Sequence, residues 1–142
     1  MTNLNDILGI NLEETPLLHI DEEILIKLKS CNYNTQSDFY FFLVDKINNL
    51  DVTNAVLLAH CHFLMSYFLY VIFTPLKHES IAFFHGKRAN SLNPSLKYKE
   101  WLVFFSLNSN NLFKRYDLLK LCEEVLELNP SSEIATTIMT LY

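Results

Sequence analysis

From Val52 to Thr74 the chain reads VTNAVLLAHCHFLMSYFLYVIFT, without one charged residue. On either side, apolar positions recur at helical spacing between polar ones. A bilayer core is crossed by about 20 apolar residues in a helix, so length alone fits a membrane span. Against this, Asn54, His60, His62 and Ser66 are spread through the first half of the run, and a polar group in hydrocarbon needs a partner. The flanks, Asp51 before and Pro75, Lys77 and His78 after, carry no clear orienting signal. A helix that is apolar all round is also what the centre of a soluble bundle requires. Because the flanking amphipathic segments need something apolar to cover, the run is read as a buried central helix. Membrane association through Val52–Thr74 stands as an alternative.

The rest of the pattern predicts further helices. Thr15-Pro16 can open a short helical turn. Asp21 is placed to cap a helix running to about Cys31, with Glu22 and Glu23 at its positive end, and Asn32-Tyr33-Asn34 would break it. Thr35-Gln36-Ser37-Asp38 has capping-box spacing, and Phe39, Phe42, Leu43, Ile47 and Leu50 follow as one face. After the central run, Pro75 can open a helix over about 76–92 with an inner stripe of Ile81, Ala82, His85, Ala89 and Leu92. Ser95 to Leu107 makes the next, carrying Tyr98, Trp101, Leu102 and Phe105, and a loop is expected over 108–111. Leu112 to Leu128 has the clearest two-sided pattern, with Leu118, Leu121, Cys122, Val125 and Leu128 opposite Lys120, Glu123, Glu124 and Glu127. A last helix over 132–141 offers Ile134, Ile138 and Leu141. The expected fold is all-α: one domain over 1–142, a compact bundle of six to seven helices arranged as helical hairpins.

One segment recurs. Ala89-Asn90-Ser91-Leu92-Asn93-Pro94-Ser95 is echoed 36 residues later by Val125-Leu126-Glu127-Leu128-Asn129-Pro130-Ser131. Proline disfavours helical geometry in the residue before it, so each Asn must leave its helix and the following residues can begin another. With these corners the stretch 63–142 resembles the tetratricopeptide family, which stacks helix-turn-helix units of about 34 residues closed by a proline. Ala82 and Ala89 match its small residues and Pro94 and Pro130 its closing prolines. Leu118 and Val125 depart from it, and Ser66 and Tyr70 replace the tryptophan and glycine of its first-helix signature, while Leu69 and Phe73 fit its apolar positions. The resemblance implies a helical-repeat half that binds peptides or proteins.

Composition narrows the chemistry. Two glycines leave no phosphate-binding loop and no nucleophile elbow. Cys31, Cys61 and Cys122 are odd in number and widely spaced, which predicts neither a disulfide framework nor a metal knuckle. The N-terminus lacks the basic start and apolar core of a signal peptide, so a reducing, cytoplasmic setting is expected. His60 and His62 point about 200° apart on a helix, whereas His78 and His85 can share a face. Apart from Glu79, next to His78, no carboxylate or cysteine at helical spacing completes a metal set with them, and no metal or other cofactor is expected. Cys61 lies between two histidines in sequence, but helix neighbours diverge and apolar surroundings leave a thiol inert.

Charge is distributed unevenly. The net of −5 divides into −6 over 1–51, +5 over 76–116 and −4 over 117–142. In the basic middle, Lys87, Arg88, Lys97 and Lys99 flank the Asn93-Pro94 corner with Tyr98 and Trp101 beside them, and these six are the candidate partner-binding residues. The acidic N-terminal third is a second candidate surface, suited to a cationic partner. The expected function is a non-enzymatic, cytoplasmic protein-binding module, in its most concrete form an immunity or antitoxin-like inhibitor that occludes a toxin domain. A second copy of the chain is a further candidate partner. The alternative is a nucleic-acid-binding module in which Tyr98 and Trp101 stack on bases and the cations hold phosphates.

Overall fold

The computed structural model describes residues 4–108 and 112–141. Among them the chain forms eight α-helices and no strand: α1 (Leu4–Leu8), α2 (Glu22–Leu25), α3 (Tyr33–Asn49), α4 (Ala55–Tyr67), α5 (His78–Leu92), α6 (Leu96–Asn108), α7 (Arg115–Leu128) and α8 (Glu133–Leu141). They pack as a compact bundle with one hydrophobic core, drawing on residues from Leu4 to Ile138.

From Leu58 onward the uncharged run lies at the centre and is largely wrapped by protein, whereas Val52 and Val56 at its start are 60% and 52% exposed. Within α4, Leu58 to Ser66 are buried without interruption, which its all-round apolar sequence allows. The run is long and apolar enough to cross a membrane, yet its sides are covered by α3, α5 and the turn at Leu17–His19. It is not uniform. A 3₁₀ turn over Val52–Asn54 leads into α4, and a π-helical segment over Phe68–Phe73 continues it. There the Thr74 amide donates to the Leu69 carbonyl, five residues back. Thr74 and Lys77 then take left-handed backbone around Pro75, with φ of 42° and 65°. Hence α5 begins at His78, two residues later than the proline implied.

Side-chain caps explain several other boundaries. The Asp21 carboxylate accepts from the Ile24 amide at 3.1 Å and starts α2, which tightens to a 3₁₀ turn over Ile26–Leu28. Asn32, read as part of a break, is instead the N-cap of α3, its Oδ1 accepting from the Thr35 amide at 2.9 Å. Thr35 and Gln36 therefore lie inside the helix and are buried, and Gln36 donates to the Leu28 carbonyl. The helix that sequence did not anticipate, α1, ends at Gly9 with φ 74°, and Lys27 Nζ ties down its last carbonyl, that of Leu8, at 3.0 Å.

The two Asn-Pro corners share a geometry. Asn93 (φ −146°, ψ 79°) and Asn129 (φ −144°, ψ 91°) leave their helices with nearly the same backbone. Each donates its amide to the carbonyl four residues back, of Ala89 and Val125. The restarts differ by one residue. Ser95 Oγ accepts from the Tyr98 amide to begin α6, whereas Ser132, not Ser131, accepts from the Ala135 amide to begin α8. At α5 the buried stripe is Ala82, Phe83, Gly86 and Ala89. The expected Ile81 is 41% exposed, and Leu128 and Leu141 also face outward. Of the loop expected over 108–111, Asn108 belongs to α6 and the rest lies outside the described residues.

Candidate functional site

Small residues set the site. Ala82, Gly86 and Ala89 let α5 lie close against its neighbours, and a methyl group added at Gly86 would stand 3.2–3.3 Å from Leu102, Ser66 Oγ and Trp101. Ser66, buried on α4, donates to the Ala82 carbonyl at 2.6 Å and accepts the Trp101 indole N–H at 2.7 Å. That second bond fixes the indole plane. Trp101 then stacks on Phe104 (centroids 5.4 Å, 17° between planes) and meets Phe63 edge-on at 5.7 Å.

These rings floor a shallow groove of about 510 Å³ whose other walls are Glu22, Leu96, Lys97 and Glu100. Lys97 Nζ sits 4.5 Å from the Phe63 ring centroid and 3.0 Å from Glu22 Oε1. Glu100 Oε2 accepts the Ser132 hydroxyl at 2.7 Å, which anchors that carboxylate to the residue just before α8. The arrangement offers flat aromatic faces between two carboxylates, with one ammonium already seated among them.

Of the six residues singled out in the sequence, Lys97 and Trp101 line this groove. Tyr98 lies beneath it, 7% exposed and stacked on Phe63 at 5.4 Å, and burial raises its pKa above the usual phenol value. Lys99 Nζ donates to Asn90 Oδ1 at 3.3 Å across the corner. Lys87 lies 5.2 Å over the Phe83 ring and lines a separate cavity with Phe113, Lys114 and Asp117. Arg88 is exposed on α5. The fold thus joins the acidic first third to the basic middle, through Glu22 and Lys97, and does not gather the cations into one patch. Phe104 and Glu100 were accessible to sequence reading, because 97, 100, 101 and 104 fall on one helical face. Phe63 and Glu22 carried no such signal.

The histidines pair differently from their sequence spacing. His62 Nδ1 and His85 Nδ1 are 2.8 Å apart with the rings stacked, so one ring donates and the other accepts. Both pKa values are lowered to about 4, by burial first and, for His62, by the neighbouring His85 and Arg88 as well. His60 points elsewhere, its Nε2 2.7 Å from the Ile20 carbonyl. Among the described residues no three His, Cys, Asp or Glu side chains converge as a metal set. Burial pushes the Cys61 and Cys122 thiols up to about 11, leaving them protonated and unreactive at neutral pH.

Comparison with protein-family models, curated proteins and solved structures finds no match to the chain.

Proposed function

We propose that the chain is a non-enzymatic protein-binding module of the cytoplasm that acts by occluding a protein partner, as an immunity protein or antitoxin occludes a toxin domain. The observation that carries this reading is the groove at Trp101. Binding energy at protein interfaces concentrates in tryptophan, tyrosine and arginine anchors set in packed surroundings, and this groove combines a fixed tryptophan with two phenylalanines and charges of both signs. Its shallow, open form suits a protein surface better than an enclosed small molecule. The paired Asn-Pro corners are consistent with the tetratricopeptide-like arrangement, in which successive helical hairpins present a continuous face to a peptide or protein.

The test is affinity capture from the native cell with tagged wild-type chain and a Phe104→Lys variant. Phe104 is half-buried at the groove, so circular dichroism and melting must first show that the variant is folded. A stoichiometric protein retained by wild type and lost from the folded variant is the expected result. Failure to recover any stoichiometric protein, or equal recovery by both, counts against the reading.

A further inference from the structure

We infer that the Trp101 groove recognises a cationic side chain, arginine above all, on a basic segment of the partner, and that Lys97 holds that place in the free protein. The inference rests on the protein-binding reading and names what the partner must present. Three observations converge on it. The first is the resident ammonium: Lys97 Nζ lies 4.5 Å over Phe63 and 3.0 Å from Glu22 Oε1, the two contacts an incoming cation would seek. The second is that this resident is weakly held. Its side chain is 53% exposed, and an ion pair so open to water contributes little.

The third is the mismatch between lysine and its surroundings. An ammonium is a point charge, whereas the groove presents the stacked Trp101 and Phe104 rings and a second carboxylate, Glu100, held in position by Ser132. A guanidinium is planar, stacks on aromatic faces and donates in two directions at once, so it can use both carboxylates and a ring together. The surroundings favour the same sign of partner. Asp21 and Glu23 adjoin Glu22, and the chain as a whole carries −5. Lys97 also gives specificity: an apolar or acidic segment has no means of displacing it, whereas a guanidinium replaces each contact the ammonium gives up.

Trp101 is the sole tryptophan, so its fluorescence reports on the groove alone. The probe is the capped peptide acetyl-Arg-Arg-Arg-amide, titrated into the full chain at low salt, with a tri-glutamate peptide as control. The expected result is a saturable change in emission with the arginine peptide only. Lys97→Met should tighten binding about threefold to tenfold by removing the resident cation. The charge-matched change Lys120→Met, on the exposed side of α7, should leave it unaltered, and Glu22→Gln should weaken it by a similar factor. Absence of a saturable response in both wild type and Lys97→Met overturns the inference, as does equal tightening by Lys97→Met and Lys120→Met. Such a failure leaves the protein-binding reading intact, because that is decided by partner capture with Phe104→Lys.

Discussion

Gly86 shows how one missing methyl group shapes the groove. An alanine there would gain roughly 1 kcal/mol in helix propensity. Its Cβ would also stand 3.2 Å from Ser66 Oγ, an atom held on both sides by the Ala82 carbonyl and the Trp101 indole. A free side chain can yield a few tenths of an ångström, but one fixed by two short hydrogen bonds yields only by stretching them. Overpacking of this kind costs ~1–3 kcal/mol, so Gly86→Ala should be destabilising on balance, by about 1 kcal/mol. Chemical denaturation measures the loss, and a shift of Trp101 emission towards that of a water-exposed indole shows where the strain goes. A variant as stable as wild type, with unchanged emission, would mean that α6 moves aside freely and that the serine does not fix the indole. None of this was legible in sequence, where Gly86 interrupts an apolar pattern and Ser66 reads as an isolated polar residue in a buried run.

Helix ends repay the same treatment. Asn32 was read as the break after one helix and proves to be the start of the next, because a short side-chain acceptor next to extended backbone is what an N-cap requires. Asn32→Ala should cost ~0.5–2 kcal/mol by leaving the Thr35 amide without its acceptor, in the range for lost caps. Asp38→Ala, at the closing position of the capping box that sequence spacing favoured, should cost far less, since Asp38 is exposed and lies in the second turn of α3. Comparing the two melting temperatures decides between the two starts. Element type was legible for the long helices, which apolar spacing and proline placement located, but not for α1 or for the π-helical end of the central run. Faces were legible where one side is polar. In α7 the charged residues leave Leu118, Leu121, Cys122 and Val125 as the only apolar side, and these are the residues buried. In α5, Ile81, Ala82, Phe83 and Phe84 give apolar residues in almost every direction, and the pattern alone could not choose. Close approach to α4 favours Ala82 and Gly86 inward, which turns Ile81 and Phe84 out to 41% and 59% exposure.

Joining α4 to α5 through two imidazoles makes the whole bundle sensitive to acid. His62 and His85 each have a pKa of about 4 in the folded chain against an ordinary 6.5, because burial disfavours the charged ring. Between those values the unfolded chain binds protons that the folded chain refuses. Stability is therefore fully present above about pH 6.5 and is lost progressively as pH falls towards 4. Burial is the largest cause at both rings, and at His62 the neighbouring His85 and Arg88 lower the value further by opposing a second positive charge. Between pH 6.5 and 5.5 the loss should be about 1–2 kcal/mol for the pair, given at most 1.36 kcal/mol per proton and pH unit. Replacing His85 by Gln removes one of the two sites, so the slope of stability against pH over this interval should fall by about half. The slope is the quantity to compare, since the substitution also changes stability at every pH. A wild-type melting temperature that stays level or rises from pH 6.5 to 5.5 would show that the rings accept protons without opening the contact between α4 and α5. The imidazoles would then lie in a wetter seam than their 2.8 Å separation indicates.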